Sequence, residues 1–205
     1  MSAFRYPIVL DLEGRACLVV GGGVVAARKA AGLLDASARV TVVSPRLAPA
    51  VRSLVDDGRA RWWPREYAAG DLSGFALVMV ATDDRAVNAQ VVADARARGV
   101  WVNCADEPAH CDFALPSVLR RGLLTVAVST GGASPAVARR VREELEAILP
   151  PEYAALTEAM ADARRALRAR GIVLDAGRWR DALERVLACP RSADPRERLR
   201  EDLGV

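Results

Sequence analysis

The chain has 205 residues, of which 52% are hydrophobic and 27% charged, and its formal net charge is +3. This composition is typical of a globular protein with one sizeable core or two modest ones, and it excludes a disordered chain. Arginines alternate with acidic residues and form no dense basic stripe, which argues against nucleic-acid binding. No apolar run approaches the roughly 20 residues of a membrane helix.

The N-terminal segment and the cysteines favour a cytoplasmic location. Residues 1–12 lack the long apolar core and the small-residue cleavage site of a signal peptide. Cys17, Cys104, Cys111 and Cys189 form no Cys-x-x-Cys pair. Free thiols in a reducing compartment are therefore expected, with Cys17 in the core.

Strands and helices alternate over roughly the first 105 residues. The predicted strands are 15–20, 39–43, 60–63, 75–81 and 100–102, and the predicted helices are 24–35, 47–56 and 84–98. Such alternation indicates a parallel sheet with helices on both faces. With right-handed crossovers, it predicts an α/β, Rossmann-like doubly wound domain, which we assign to residues 1–112.

The pattern changes after Asp106. Segments 113–116 and 123–128 are predicted as a hairpin outside the parallel sheet. Ser134 and Pro135 are expected to start a helix, as N-cap and first helical residue, and apolar residues at 137, 141, 145 and 148 give it one apolar face. Residues 113–150 are thus predicted as a small α+β region for dimerisation or for covering a substrate.

The C-terminal region, residues 151–205, is predicted to be helical and rich in arginine. Gly171 and Gly177 are expected to break the helices. The last stretch, from Pro190 to Val205, is polar, and little order is expected there.

A glycine-rich turn follows the first predicted strand. Residues 21–26 read Gly-Gly-Gly-Val-Val-Ala and fit the pattern G-x-G-x-x-A between a strand and a helix. Gly21 permits the tight turn, Gly23 lets the backbone approach a pyrophosphate, and Ala26 lets the helix pack closely on the sheet. Helix N-terminal amides favour phosphate charge. The turn therefore predicts a dinucleotide site at Gly21, Gly23, Val24 and Val25.

The end of the second strand leaves the choice of cofactor open. This strand usually ends in an acid that holds the adenosine ribose of NAD, whereas here it ends in Ser44, Pro45 and Arg46. Ser44 is suited to bond a ribose hydroxyl, which fits NAD. Arg46 is suited to attract a 2′-phosphate, which fits NADP, or it is a solvated loop residue.

Two later strands end in polar residues at the same predicted edge. Thr82 and Asp83 follow the fourth strand and are expected at the cofactor. Either Asp83 or Asp84 is suited to cap the next helix, and Asp84 is the preferred candidate. Asn103 follows the fifth predicted strand, near the expected nicotinamide position. Asp106 lies three residues later and is a candidate base, or a group that holds a charge developing on the substrate.

Several segments together resemble the precorrin-2 dehydrogenase family, which forms the N-terminal part of sirohaem synthases. The resemblance runs over roughly residues 4 to 165. It is carried by residues 6–8 (Tyr-Pro-Ile), 21–30, 81–84, Asn103 with Asp106, Phe113 with Pro116 and Ser117, and 129–135 (Ser-Thr-Gly-Gly-Ala-Ser-Pro). The methyltransferase half of the fused enzymes is absent from this sequence, so methylation is not expected.

The resemblance implies NAD-dependent oxidation of precorrin-2 to sirohydrochlorin by a homodimer. In many members it also implies ferrochelation of sirohydrochlorin to sirohaem, with a ferrous or cobaltous ion as a further substrate. It places the family's key aspartate on Asp106. It also places Ser129, Thr130, Gly131 and Ser134 at the mouth of the substrate cleft. Some relatives carry a regulatory phosphoserine where this sequence has Thr130.

Three other interpretations have less support in the sequence. His110, the only histidine, lies near Cys111 and Cys104, but the spacing matches no closed zinc pattern, so no metal site is predicted. A nucleotide-sensing Rossmann module without turnover would give no role to Asn103, Asp106 or residues 129–135. A short-chain reductase would need a Tyr-x-x-x-Lys pair, and Lys29 is the only lysine of the chain.

Overall fold

The computed structural model describes residues 6–105, 107–188 and 194–204. The chain divides into two compact units, one ending at Leu115 and the other starting at Pro116. Asp106, Cys189 and the adjoining positions 190–193 lie outside the described residues, as do 1–5 and 205.

The first unit is a five-stranded parallel sheet flanked by three helices. Its strands are β1 (Ala16–Val20), β2 (Arg39–Val43), β3 (Ala60–Trp63), β4 (Leu77–Val80) and β5 (Trp101–Cys104). Its helices are α1 (Val24–Asp35), α2 (Pro49–Asp56) and α3 (Arg85–Arg98). The strand order β3-β2-β1-β4-β5 reverses direction between β1 and β4, and all four pairings are parallel. The predicted Rossmann-like fold is confirmed.

Each face of this sheet carries its own apolar cluster. On one face, Ala26, Ala30 and Leu33 of α1 pack with Val19 and Val42 of the strands. On the other face, α3 packs through the residues Val91, Val92 and Ala95 against Leu18, Val78 and Val102. Strands buried on both faces read as continuous apolar runs, which is why the sequence identified them. Cys17 is fully buried, as predicted.

Within its described residues, the second unit combines a hairpin with four helices. The strands β6 (Ser117–Arg121) and β7 (Leu124–Val128) pair in antiparallel register. They are followed by α4 (Pro135–Ile148), α5 (Tyr153–Ala169), α6 (Ala176–Leu187) and α7 (Pro195–Leu203). Ala159, Ala163, Ala182 and Leu199 form the apolar cluster that joins the last three helices.

Three predictions about the second half of the chain were wrong. The first hairpin strand lies at 117–121 and not at 113–116, because Asp112 bonds to β5 and Phe113 packs into the core of the first unit. Gly177 lies in the first turn of α6, where the backbone N–H groups need no intrahelical partner, so it breaks nothing. Residues 195–203 of the tail form a helix, because Leu199 is buried against α5 and α6.

Candidate functional site

The carboxyl ends of four parallel strands meet at one edge of the sheet. The register pairs Val20 at the end of β1 with Val43 of β2 and with Val80 of β4, and it pairs Val80 with Cys104 of β5. The segments that follow these residues are therefore neighbours. Ligands of open parallel sheets bind outside the carboxyl ends, where the strand order reverses. Here that point lies between β1 and β4.

The glycine turn has the geometry that a pyrophosphate requires. Gly21 adopts φ +117°, and a Cβ there would lie 2.2 Å from the Ala81 carbonyl oxygen. A Cβ on Gly23 would meet nothing within 4 Å. Gly23 is also the N-cap of α1, with no side-chain cap bond, and Val24 and Val25 of the first turn are exposed. Open backbone at an uncapped helix start suits the phosphates of a dinucleotide.

The loop after β2 lies directly against the glycine turn. The Ser44 hydroxyl donates to the Arg46 carbonyl oxygen over 2.7 Å, and Trp62 Nε1 donates to the Ser44 carbonyl oxygen over 2.9 Å. The Arg52 guanidinium stacks over Trp62, 4.3 Å from the ring centroid. Pro45 and Arg46 are exposed. This loop thus presents an exposed guanidinium and a buried hydroxyl where an adenosine ribose would lie.

Polar residues after β4 bind the start of α3. The Thr82 hydroxyl donates to Asn88 Oδ1 over 2.8 Å, and its oxygen accepts from the Asp84 backbone N–H over 3.1 Å. Asp84 Oδ1 accepts hydrogen bonds from Ala86 and Val87, which confirms the predicted cap. Asp83 is exposed at the same edge.

Asn103 links α1 to the chain that follows β5. Its Oδ1 accepts a hydrogen bond from Lys29 Nζ over 2.5 Å, and its Nδ2 donates to the Phe113 carbonyl oxygen over 2.9 Å. Asn103 is buried, on the face that carries the α1 cluster. The predicted base, Asp106, lies outside the described residues.

Cys111 completes the attachment of this segment to β5. Its sulfur accepts from the Cys104 backbone N–H at 3.1 Å and donates to the Cys104 carbonyl oxygen at 3.2 Å. Burial raises the pKa of the Cys111 thiol, whereas the Cys104 N–H and the charge of Lys29 lower it, and Asp112 and Glu107 raise it. A neutral thiol at neutral pH follows.

The only histidine contacts a nearby carboxyl group. His110 Nδ1 lies 2.6 Å from Glu107 Oε2 within a single 3-10 turn, Pro108–His110. Within 6–105, 107–188 and 194–204, no three His, Cys, Asp or Glu side chains come together in a way that could hold a metal ion.

The predicted substrate segment of the second unit is a tight loop before α4. Thr130 Oγ1 accepts from the Ser134 backbone N–H over 2.9 Å and donates to the Ser134 carbonyl oxygen over 3.1 Å. Ser129 Oγ accepts from the Gly131 N–H, and Ser134 Oγ caps α4 through the Val137 N–H. The predicted N-cap is confirmed. These bonds give the loop a defined conformation.

Helix α4 does not bury the apolar face that its sequence predicts. Ala138 is its buried residue. Val137, Val141 and Ile148 of the predicted face are exposed.

Among the described residues, no helix is both long enough and apolar enough to cross a membrane.

Sequence analysis missed two features of the first unit. Gly22 has no conformational role of its own, but a Cβ there would lie 2.0 Å from the Arg46 carbonyl oxygen. Sequence analysis identified Lys29 as the only lysine and as part of the 21–30 segment, but it gave Lys29 no role in the site. The sequence offered one indication that Lys29 has a role: it is the only lysine among 29 basic residues.

Two families match the chain in succession. Residues 8–117 match the family described as putative NAD(P)-binding, and residues 121–148 match the sirohaem biosynthesis protein central family. A solved structure titled SirC, precorrin-2 dehydrogenase superposes with a TM-score of 0.77 at 28% identity. That comparison covers 98% of this chain and 100% of the other.

Curated relatives are bacterial sirohaem synthases. Siroheme synthase of Methylococcus capsulatus is 45% identical over 162 residues, which are 79% of this chain and 34% of the relative. Siroheme synthase 1 of Aeromonas salmonicida is 42% identical over 185 residues, which are 90% of this chain and 39% of the relative. The chain thus spans less than half the length of these two relatives.

Proposed function

Because this chain belongs to the putative NAD(P)-binding family and carries the sirohaem-biosynthesis central segment, we propose that it oxidises precorrin-2 to sirohydrochlorin with NAD. The observation that carries the proposal is the likeness to a precorrin-2 dehydrogenase over 98% of the chain, through both units. A sensing module without turnover is not favoured, because the likeness extends well beyond the dinucleotide-binding unit.

The cofactor would lie across the carboxyl edge of the first unit. Gly21, Gly23 and the first-turn residues Val24 and Val25 would hold the pyrophosphate at the start of α1. Ser44, Pro45 and Arg46 would hold the adenosine ribose. The edge toward the nicotinamide would be lined by Thr82, Asp83 and Asn103. Asn103 would act mainly by holding the chain around Phe113, to which it is hydrogen-bonded.

The reaction removes a hydride and a proton from precorrin-2. NAD, when bound, supplies the hydride acceptor. Asp106 would accept the proton. In the sequence it lies two residues after the end of β5 and directly after Ala105. The backbone N–H of Ala105 donates to the Val80 carbonyl oxygen over 3.0 Å, so the residue before Asp106 is fixed to β4.

In the second unit, Ser129, Thr130, Gly131 and Ser134 would meet the carboxylate-rich tetrapyrrole. The defined conformation of the loop before α4 supports this role, since a loop fixed by its own hydrogen bonds needs little reordering on binding. Insertion of a ferrous or cobaltous ion into the product would be a second activity of the same chain.

We also propose a homodimer in the cytoplasm. Exposed Val137, Val141 and Ile148 on α4 and exposed Leu123 in the hairpin turn support a partner surface on the second unit. Cys17 and Cys111 carry free thiols, which fits a reducing compartment. Light scattering at working concentration tests the dimer, and a monomer would contradict it.

The test of the activity is anaerobic turnover. Purified protein is mixed with precorrin-2 and NAD, and the visible spectrum is followed for sirohydrochlorin. Asp106→Ala is compared with Asp35→Ala, which removes an exposed carboxylate at the far end of α1. Ferrous or cobaltous ion is added after the first reaction is complete, to test metal insertion.

The expected result is product formation by the wild type and Asp35→Ala, and its loss in Asp106→Ala. A typical contribution of a general base is about 10²- to 10⁴-fold in rate. NAD binding without any turnover by the wild type would overturn the proposal and return the chain to the sensing class. NADP used in preference to NAD would assign Arg46 to a 2′-phosphate.

A further inference from the structure

The strongest unassigned feature is a polar cluster at the free edge of β5. The sheet ends at β5, so this strand has one edge without a neighbouring strand. The chain that follows covers it: Asp112 Oδ2 accepts from the Val102 N–H at 2.9 Å, and the Asp112 N–H donates to the Val102 carbonyl oxygen at 2.8 Å. Cys111 bonds to both backbone groups of Cys104.

Asn103 holds this segment from the other side. Its Nδ2 donates to the Phe113 carbonyl oxygen over 2.9 Å and lies 3.7 Å from the Cys111 sulfur. Residues 111, 112 and 113 are thus each bonded to a different residue of β5. We call residues 111–113 the edge segment.

Lys29 fixes the orientation of Asn103. An ammonium group only donates hydrogen bonds, so the atom 2.5 Å from Lys29 Nζ must be the amide oxygen, and the amide nitrogen must face Phe113. Asn103 is buried among apolar side chains of the α1 face, including Met79, its neighbour in β4. A buried amide oxygen that loses its donor is costly and favours rearrangement.

We propose that Lys29 is a positioning residue, whose ammonium fixes the Asn103 amide and thereby holds the edge segment at the carboxyl end of β5. This inference rests on the proposed function, because that end of β5 is where the nicotinamide and substrate would react. Lys29 is the sixth residue of α1, about one and a half helical turns beyond its phosphate-facing start. One helix therefore fixes both the phosphate end and the reactive end of the site.

The test compares Lys29→Met with Lys29→Arg. Methionine keeps the unbranched apolar stem of lysine and removes the charge and the donor, whereas arginine keeps the charge and the donor. Arg28→Met is the matched control, because it removes one positive charge from the neighbouring exposed position of α1. For Lys29→Met, turnover is expected to fall about 10- to 100-fold, with partial recovery in Lys29→Arg. The dissociation constant of NAD should change less than about threefold, because the glycine turn is untouched.

A second readout does not depend on turnover. Alkylation of Cys111 is followed against pH in a Cys189→Ser background, where Cys17 and Cys104 are buried. The Lys29 charge favours the thiolate against the nearby carboxylates of Asp112 and Glu107. Lys29→Met should therefore slow alkylation at neutral pH by about two- to tenfold and move its profile to higher pH. Lys29→Arg and Arg28→Met should leave the profile near that of the wild type.

The outcomes separate the two proposals. Unchanged turnover in Lys29→Met overturns the positioning role, even if the alkylation profile moves. An unchanged pH profile of Cys111 alkylation in Lys29→Met overturns the claim that the ammonium lies at the edge segment. If Arg28→Met moved this profile as much as Lys29→Met does, that claim would also be overturned, because any positive charge of α1 would then suffice. If the wild type does not oxidise precorrin-2, the proposed function fails, and alkylation alone judges whether Lys29 holds the edge segment.

Discussion

Alanine substitutions in the glycine turn should separate folding from cofactor binding. Gly21→Ala places a methyl group 2.2 Å from the Ala81 carbonyl oxygen at φ +117°. The oxygen cannot retreat easily, because the Ala81 N–H is bonded to the Val20 carbonyl oxygen at 2.8 Å. The backbone conformation costs about 1–3 kcal/mol and the overlap another 1–3 kcal/mol. The free energy of unfolding should therefore fall by about 2–6 kcal/mol.

Gly23→Ala should act on binding alone. Its φ of −84° suits alanine, and a Cβ there meets nothing within 4 Å. The lower freedom of the unfolded chain stabilises by about 0.4–1 kcal/mol. The poorer N-cap costs a similar amount. The two nearly cancel, whereas the added methyl group occupies space that a pyrophosphate would need. NAD affinity should fall about 10- to 100-fold, the equivalent of about 1.4–2.8 kcal/mol.

The assay pairs urea unfolding with calorimetric titration of NAD. Tryptophan fluorescence in a Trp179→Phe background reports the first unit, because Trp62, Trp63 and Trp101 all lie there. A wild-type unfolding midpoint for Gly21→Ala would refute the steric argument. Wild-type NAD affinity for a folded Gly23→Ala would show that the pyrophosphate does not bind at this turn.

Other predictions concern local stability. Asp84→Ala removes two cap bonds of α3 and should lower the free energy of unfolding by about 1 kcal/mol, with the loss confined to the first unit in hydrogen exchange. Ser134→Ala should cost α4 about the same in the second unit, and equal effects on both units would contradict the division. The hydrogen bond from Arg65 lowers the pKa of Asp71. Its contribution is therefore present above the unfolded pKa of about 3.9 and lost as pH falls through the folded pKa. In Asp71→Asn, the free energy of unfolding should depend less steeply on pH over this acidic range. An unchanged pH dependence would exclude the contact between Arg65 and Asp71 as its cause.

The first unit could be predicted closely because its central strands β1, β2 and β4 are buried on both faces. Helix α1 and strand β2 lie where the sequence placed them, since continuous β-branched runs and alanine-rich stretches separate well. The glycine turn was recognisable because Gly21 has a conformation that other residues rarely adopt. Local patterns of this kind need no knowledge of distant residues.

The missed features depend on contacts far apart in sequence. Lys29 and Asn103 are 74 residues apart, and no local pattern pairs them. Phe113 resembles the start of a strand, but it is bonded to Asn103 and packs in the core of the first unit. Leu199 stands in a strongly polar stretch and becomes a helix residue only because α5 and α6 cover it.

The contact between Gly22 and the loop after β2 has a consequence for how fast a ligand is captured. The Gly22 carbonyl oxygen accepts a hydrogen bond from the Ala48 N–H at 2.7 Å, and the Gly21 N–H donates to the Val43 carbonyl oxygen at 3.0 Å. The two loops are therefore a single preformed cradle before any dinucleotide arrives. Association with a preformed cradle needs no slow rearrangement, so the rate should rise linearly with ligand concentration. Differences in affinity among variants of these loops should then lie in the residence time of the bound ligand.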